Sequence, residues 1–351
     1  LYVGMKMFDS APDSIIRRLT RRDQIDGDIA GIFIDSYNDK RSAFGFGVTA
    51  AGVKFDQFVS NDGQNEDNTW DPVWWTEVSS DSAGWYAEMR IPLTQLRFEE
   101  KAGEEWGFEA IRYILRRQET SLWQPVSRKQ SGWVSQFGRI SGFEGIESRN
   151  IVDLMPYAVA GTSRFEKEPD NPFRTEGHEN RLDAGLDAKI GVTNYLTLDL
   201  TVNPDFGQVE ADPSEVNLST FETFFSEQRP FFIEGKNILN YKLSYDGSDD
   251  VEGMFYSRRI GRSPHYFPEL EVGQYGKSPE FTRILGAAKI TGKTASGWSV
   301  GLLESMTAKE FVNIRGNGSP TKVPAEPFTN YVVGRLQKDF NEGNTTLGGI
   351  F

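Results

Sequence analysis

The sequence predicts an all-β protein made of an N-terminal β-sandwich and a C-terminal antiparallel β-barrel of the transmembrane type. Short strand-like runs separated by turn residues fill the chain up to about residue 145. Longer runs that alternate apolar and polar residues follow them. No apolar run reaches the roughly 18–20 residues that a transmembrane helix needs, so strands would have to make any membrane crossing.

The composition excludes several kinds of site. The 351 residues carry a formal net charge of −13, which argues against a nucleic-acid partner because phosphate binding needs a basic surface. There are no cysteines, so disulfides, zinc–thiolate sites and cysteine nucleophiles are excluded. The two histidines, His178 and His265, lie far apart in the sequence. A Ser-His-Asp triad or a multi-histidine metal site is therefore not expected.

The strands of the predicted sandwich follow one another closely. "LYVGMKMFD" alternates apolar and polar residues, and "IAGIFIDSYND" is a strand that ends in an Asp/Asn turn. "SAFGFGVTAAGVKFDQFV" predicts two strands around Ala51 and Gly52, and "GWYAEMRIPLTQL" predicts one that Pro92 stops. "EWGFEAIRYILRR" is a further strand, with Trp106 and Phe108 as packing residues. Short strands at this spacing are typical of an antiparallel sandwich.

Seven of the eight tryptophans lie in this first part of the chain. An indole ring either packs in a core or offers a flat surface to a sugar ring, and the sequence leaves both roles open. In "NTWDPVWW", strand alternation places Trp74 and Trp75 on opposite faces, so one of them should face away from the core. The candidates for carbohydrate binding are Trp70, Trp74, Trp75 and Trp85.

These motifs, in this order, resemble the carbohydrate-binding family 9-like domain. The resemblance rests on "LYVGMKMFD", "RRDQIDGDIAGIFIDSYND", "TWDPVWW", "GWYAEMRIPLTQLRF" and "WGFEAIRYILRRQETSLWQPV". It covers residues 1–146 and implies a β-sandwich whose first strands would precede Leu1. Members of that family either bind a sugar or serve as adaptor domains, so the resemblance leaves the ligand open.

From residue 147 the pattern changes to strands with one apolar and one polar face, as in "NRLDAGLDAKIG" and "YLTLDLTVNP". Long connections alternate with short ones, which is typical of outer-membrane barrels with their short turns in the periplasm. Bacterial single-chain barrels have even strand counts, so the nine predicted strands indicate a barrel that is incomplete over residues 147–351. The predicted strands lie near 151–164, 181–191, 195–203, 237–245, 253–261, 281–291, 298–308, 329–340 and 345–351.

One long connection, Asn203 to Gly235, has a structural interpretation. Asp212 and Pro213 predict a helix start, and Phe221 and Phe225 then fall on one face of a helical insert at about 212–228. Such a helix would fold over or into the barrel mouth, with Arg229 paired to a carboxylate of the lumen.

Two chemical interpretations compete with the structural one. Calcium could be held by carboxylates of the same stretch, which makes it the one metal considered. A glycoside hydrolase would instead pair Asp205 or Glu210 with Glu222 or Glu234. The calcium candidates are Asp205, Glu210, Asp212 and Glu215.

The same connection, together with "FYSRRIG" (Phe255 to Gly261), resembles an uncharacterised family of bacterial outer-membrane barrels. That family often follows a carbohydrate-binding family 9-like domain, as here, and the resemblance covers residues from about 149 onward. It implies an architecture and a location and no catalytic residues. The structural signature that it implies consists of Phe221, Phe225, Arg229 and Glu234.

The sequence thus predicts an outer-membrane protein that binds or passes a glycan or another small ligand without catalysis. The connection after the first barrel strand is long, so that strand should start at the periplasmic rim, where the sandwich ends. The sandwich is therefore expected on the periplasmic side. Two alternatives remain: an envelope glycoside hydrolase that uses carboxylate pairs, and a scaffold whose sandwich docks another envelope protein.

Overall fold

The computed structural model describes residues 1–68, 70–98, 105–127, 129, 131–143, 146, 152–193, 195–204, 223–225, 227–241, 253–294, 296–316, 318–341 and 345–351. Over these residues the protein is all-β, with four antiparallel sheets and two single-turn α-helices. No helix within this described part is long and apolar enough to span a membrane.

The N-terminal part contains two sheets that pack against each other. The first has the strand order β1-β7-β6, and the second has the order β10-β8-β2-β3-β4-β5, with β9 paired to β8. The strands are β1 (Tyr2–Phe8), β2 (Ile29–Asp35), β3 (Ala43–Thr49), β4 (Lys54–Ser60), β5 (Asn65–Asp67), β6 (Trp75–Asp81), β7 (Gly84–Arg90), β8 (Glu105–Ile114), β9 (Glu119–Leu122) and β10 (Gly138–Ser141).

The core between these sheets explains why the strands alternate as they do. Ile32 and Phe46 of the larger sheet and Trp85 and Met89 of the smaller sheet all bury their side chains in one cluster. Strands β2 and β3 are buried on both faces, because a second cluster around Phe33 covers the far side of the larger sheet. Two sheets that share one core are arranged as in a β-sandwich.

The C-terminal part contains one large sheet and one small sheet. Its strands are β11 (Val152–Arg164), β12 (His178–Gly191), β13 (Leu196–Val202), β14 (Gln274–Lys277), β15 (Ile284–Lys293), β16 (Trp298–Thr307), β17 (Glu310–Gly316), β18 (Gly318–Glu326), β19 (Thr329–Phe340) and β20 (Thr345–Ile350). The large sheet runs β11-β12-β13-β15-β16-β19-β20, and the small one runs β14-β17-β18. Helices α1 (Pro230–Ile233) and α2 (Lys236–Leu239) lie between β13 and β14 in the sequence.

The seven-stranded sheet has an apolar face that remains exposed. In β13, for example, Leu198 and Leu200 are half-exposed while Asp199 and Thr201 are buried. The pairing registers place the outward residues of neighbouring strands side by side. The exposed apolar residues of this face include Val152, Leu154, Leu182, Leu186, Val202, Trp298, Leu302, Met306, Val332 and Leu336. Ala287 and Leu303 of the opposite face join a small apolar cluster with helices α1 and α2, but most of the buried residues of that face are polar, which is the reverse of a sheet that covers a hydrophobic core.

Seven of the nine strands predicted after residue 147 are confirmed, and two predictions are wrong. Within 237–245 the described residues include helix α2, and within 253–261 Ser257–Arg259 form a single 3-10 turn. Strand β13 pairs with β12 on one side and directly with β15 on the other. Because both of its edges are occupied, the sheet has no place there for a strand from the intervening chain.

The long connections contain a sheet that the sequence did not indicate. Strand β18 has the sequence "GSPTKVPAE", which contains two prolines and lies in the predicted connection between the strands near 298–308 and 329–340. Its position explains them, since β18 is an edge strand that pairs only with β17 among the described strands, and edge strands tolerate residues without an N–H.

Candidate functional site

The inward face of the seven-stranded sheet buries polar and charged side chains. Thr201 Oγ1 donates to Asp187 Oδ1 over 2.5 Å, and Lys289 Nζ lies 3.6 Å from Asp199 Oδ2. Buried charges need such partners, because leaving one unpaired costs several kcal/mol. The buried polar residues of this sheet are Asp187, Thr197, Asp199, Thr201, Lys289, Thr291, Ser305 and Thr307.

Residues 227–241, here called the inner segment, lie across this polar face and contain both α-helices. Helix α1 contacts β13, and α2 contacts β16 and β19. Lys289 Nζ donates to the backbone carbonyls of Phe231 and Glu234. Arg335 Nη1 donates to the carbonyl of Ile238 over 3.0 Å. Long cationic side chains of the sheet thus hold the backbone of the inner segment.

Gly235 allows the inner segment to approach the sheet closely. It joins α1 to α2 with φ +66°, in the left-handed region that glycine adopts most readily. A Cβ at this position would lie 2.5 Å from Oγ1 of Thr291 in β15. Any larger residue would therefore push the segment away from the sheet.

Glu234 connects three parts of the chain. Its Oε1 lies 2.5 Å from Nη2 of Arg97, which belongs to the N-terminal part, and 3.2 Å from Nζ of Lys189 in β12. Burial alone would raise the pKa of Glu234, but Lys189 and Arg97 outweigh burial and lower the pKa well below its usual range. Glu234 is therefore ionised at neutral pH.

A second junction lies around Lys293, the last residue of β15. Its Nζ lies 2.7 Å from Asp39 Oδ2 in the N-terminal part and 2.9 Å from Asp339 Oδ2 in β19. Lys293 precedes the short connection to β16, and Asp339 precedes the short connection to β20. The N-terminal part thus contacts the end of the seven-stranded sheet that carries its short turns.

Arg229 and Phe225 lie in a setting that differs from the predicted one. Arg229 is 1% exposed, and its guanidinium forms two 2.8 Å hydrogen bonds to Glu227 and another to the carbonyl of Ile260. The carboxylate of this pair thus belongs to the inner segment. Phe225 is half-buried and is not helical, and the helix begins only at Pro230.

Most of the predicted helical insert over 212–228 lies outside the described residues. Residues 223–225 and 227–228 have no helical structure. Pro230 begins a helix, whereas the sequence predicted that a helix would end there. Proline is favourable at the first helical position because the backbone N–H that it lacks would have no hydrogen-bond partner within the helix. Phe221, Glu222 and the calcium candidates Asp205, Glu210, Asp212 and Glu215 lie outside the described residues.

A cavity of about 810 Å³ lies between the N-terminal part and the inner segment. The N-terminal part contributes aromatic rings to its lining, including Phe44, Phe58 and Trp70. The inner segment and the sheet contribute polar side chains, including Asn237 and Ser299. A space of this size and mixed lining is typical of a small-molecule site.

The four candidate tryptophans occupy three different environments. Trp74 and Trp85 are each 1% exposed and pack in the N-terminal core, so neither ring offers a face to a ligand. Trp75 is 47% exposed on β6, as the alternation with Trp74 predicts, and Arg90 lies over its ring at 4.4 Å. Trp70 is partly buried and lines the cavity.

The carboxylates of the N-terminal turns hold the backbone in place. Asp35, at the Asp/Asn turn that ends a predicted strand, is buried and accepts hydrogen bonds from the backbone N–H groups of Asp39 and Lys40. Burial, helped by the charge of Asp39, raises the pKa of Asp35 to about 7. Asp62 likewise accepts from the N–H groups of Trp133 and Ser135. Within the described ranges, no group of three or more Asp, Glu or His side chains is placed to hold a metal ion.

Glu234 belongs to the signature that the sequence resemblance implies, whereas its partners Arg97 and Lys189 and the second junction at Lys293 were not expected from the sequence. The only available signal was that Lys189, Asp199 and Lys289 fall on the polar face of alternating strands. Asp199 lies directly opposite Lys289 in the β13–β15 register. That register, and the docking of the N-terminal part, cannot be read from spacing along the chain.

Comparison with known protein families gives a match over the C-terminal part. The family described as Domain of unknown function (DUF5916) matches residues 152–347, from the start of β11 into β20. No curated protein and no solved structure matches the chain. Since the match covers more than half of the 351 residues, the chain belongs to the DUF5916 family.

Proposed function

We propose that this is an outer-membrane β-barrel protein that binds or passes a glycan or another small ligand without catalysis. Its seven-stranded sheet would form part of the barrel wall, and its N-terminal sheets would lie on the periplasmic side. The N-terminal sheets would correspond to the carbohydrate-binding family 9-like domain that the sequence resembles.

The observation that carries the proposal is the reversed polarity of the seven-stranded sheet. Its outward face exposes leucine, valine and methionine, while its inward face buries Asp199, Lys289 and Thr291. An apolar surface of this extent is unfavourable in water, whereas lipid favours it. Glu304 shares the outward face but is hydrogen-bonded by Asn330 over 3.0 Å, which is how a polar group is tolerated in apolar surroundings.

The position of the N-terminal part supports the periplasmic assignment. It contacts the short-turn end of the sheet through Asp39 and Lys293, and short turns are periplasmic in outer-membrane barrels. The small sheet β14-β17-β18 is built from the long connections of the C-terminal part. Long connections belong to the extracellular side in that architecture.

A hydrolase receives less support. Of the four carboxylates considered for it, only Glu234 lies among the described residues. It is ionised, so it could serve only as the ionised member of a carboxylate pair, and its Oε1 is already held by Arg97 and Lys189. This environment suits an anchor.

Docking of another envelope protein is a second candidate function. It is favoured by three exposed side chains that are neighbours across the strands of the smaller N-terminal sheet. Tyr2, Arg90 and Trp75 lie side by side across β1, β7 and β6. Tyr2 is 81% exposed. Tyrosine, tryptophan and arginine are the residues that most often dominate binding at protein interfaces.

The proposal is tested by an arginine on the outward face. Leu302→Arg should destabilise the folded protein by ~2–4 kcal/mol if the face meets lipid, because that is the cost of arginine near a bilayer midplane. Leu19→Arg is the matched control, since Leu19 is an exposed leucine of the N-terminal part. Unfolding titrations in lipid vesicles measure both changes. Equal, negligible effects of the two variants, or recovery of the wild-type protein in the soluble fraction, would contradict the membrane proposal.

A further inference from the structure

We propose that the cavity between the N-terminal sheets and the inner segment is the ligand site, and that it takes a short, uncharged oligosaccharide. This inference rests on the proposed function and extends it, because that function specifies neither the site nor the charge of the ligand. It follows from the size of the cavity, from the different chemistry of its two sides and from the pairing of three of the cations that line it.

The size suits a ligand of a few rings. A volume of about 810 Å³ lies in the upper part of the range of ~300–1,000 Å³ that small-molecule sites occupy. Both the N-terminal sheets and the inner segment line it, so the ligand would contact both parts at once.

The two walls differ in chemistry. On the N-terminal side, the partly buried rings of Trp70 and Phe58 pack against the buried ring of Phe44, each with 5.1 Å between ring centroids, so the lining there is aromatic. On the other side, Asn237 of α2 and Ser299 of β16 contribute amide and hydroxyl groups. A sugar ring matches this division, because it has an apolar C–H face and a rim of hydroxyls that donate and accept hydrogen bonds.

Three of the cations that line the cavity already have carboxylate partners, which argues for a neutral ligand. Arg97 and Lys189 share Glu234 as their carboxylate. Lys293 is held between Asp39 and Asp339. A charged ligand would have to compete with these ion pairs, whereas a neutral one can hydrogen-bond to the lining and leave them intact.

Trp75 provides the internal comparison. It is the exposed candidate ring on β6, outside the cavity lining, and Arg90 already covers one of its faces. If a sugar is captured on the outer face of the N-terminal sheets, Trp75 should matter. If a sugar is bound in the cavity, Trp70 should matter instead.

The experiment is calorimetric titration of the whole protein in detergent with neutral oligosaccharides of glucose, xylose and N-acetylglucosamine, and with a uronic-acid oligomer as the charged probe. Trp70→Ala should weaken binding of a neutral oligomer at least about tenfold, equivalent to ~1.4 kcal/mol, and Trp70→Phe should weaken it less. Trp75→Ala should bind like the wild type. Asn237→Trp should block binding by filling the cavity. Because Asn237 is exposed on α2, this second variant leaves the hydrophobic core unchanged, and it tests the site even if Trp70→Ala does not fold.

Each contrary result has its own meaning. Wild-type affinity in both Trp70→Ala and Asn237→Trp would overturn the site, and tighter binding of the uronic-acid oligomer would overturn the neutral ligand. Binding that is lost only in Trp75→Ala would leave a glycan-binding protein whose site is the outer face. No binding of any oligomer to folded, membrane-inserted protein would overturn this inference together with the glycan part of the proposed function.

Discussion

Glu234 belongs to the inner segment and contacts both the N-terminal part and the seven-stranded sheet. Two cations bind its Oε1, and Lys289 holds its backbone carbonyl. An ionised carboxylate in such a place is stable only with both partners present, because an uncompensated buried charge is costly. Asp35 is the opposite case, a buried carboxyl group whose neighbours include a second acid, Asp39.

Replacement of the Glu234 carboxylate should loosen this junction. Glu234→Gln leaves Arg97 and Lys189 without their shared counter-charge, and we expect a loss of ~2–4 kcal/mol in the free energy of unfolding. Urea titrations followed by tryptophan fluorescence measure this loss. Glu77→Gln, a change at an exposed carboxylate of β6, should stay within ~0.5 kcal/mol. Equal stability of the two variants would show that the junction contributes nothing.

The raised pKa of Asp35 should make the N-terminal sheets less stable as the pH rises. An unfolded aspartate has a pKa of ~3.9, whereas that of buried Asp35 is about 7. At a pH between these two pKa values, Asp35 is protonated in the folded state but ionised in the unfolded state. The free energy of unfolding is therefore highest below the pKa of the unfolded state and falls as the pH rises toward the pKa of the folded state. We expect Asp35→Asn to remove part of the decline between pH 4.5 and 7.5, measured by urea unfolding. A decline of the same size in both proteins would contradict the assignment.

At the scale of elements, the inner segment shows how a short stretch can be held by the sheet it covers. Its helices have one turn each, too short to be stable alone. Their stability must therefore come from the sheet, through Lys289 and Arg335 and through the burial of Phe231 and Leu239. Gly235 is the point at which this arrangement tolerates no side chain.

A side chain at position 235 should displace the inner segment. Gly235→Val combines a strained positive φ with a collision against Thr291, and each effect typically costs ~1–3 kcal/mol. Gly161→Val in β11 is the matched control, because a Cβ there meets nothing within 4 Å. Limited proteolysis should cleave the inner segment faster in Gly235→Val alone. Equal cleavage rates in the two variants would mean that the segment is not held by close packing at Gly235.

At the scale of the whole molecule, the chain exposes an apolar sheet face and joins its two parts through ion pairs. The N-terminal sheets cover the short-turn end of the large sheet through ion pairs to Glu234 and Lys293. The small sheet β14-β17-β18 is formed by the long connections of the C-terminal part. The turn that precedes its strand β14 contains the fully exposed Val272. If the protein crosses the outer membrane, these two regions lie on opposite sides.

Single-cysteine labelling tests this orientation cleanly, because the chain has no cysteine of its own. Val272→Cys should react with a bulky maleimide on intact cells, whereas Ser82→Cys, at the exposed β6–β7 turn, should react only after the outer membrane is permeabilised. Labelling of Ser82→Cys in unbroken cells would place the N-terminal sheets outside. Labelling of neither position would indicate that Val272 does not reach the surface.

The sequence by itself determined the all-β class, most strands and the alternation of apolar and polar faces, because side-chain direction in a strand depends only on position along the chain. The same rule correctly separated Trp74 from Trp75. Pro92 and Gly52 also predicted strand ends correctly, because the φ angles that proline and glycine favour are properties of the single residue.

Only the tertiary structure decided which strands are neighbours, and most of the candidate site depends on that. The direct pairing of β13 with β15 excluded the intervening chain from the sheet and left α2 where a strand was expected. The partners of Glu234 are Arg97 and Lys189, which lie 137 and 45 positions before it in the sequence. Contacts over such separations arise from the packing of whole sheets, and local patterns along the chain contain no information about them.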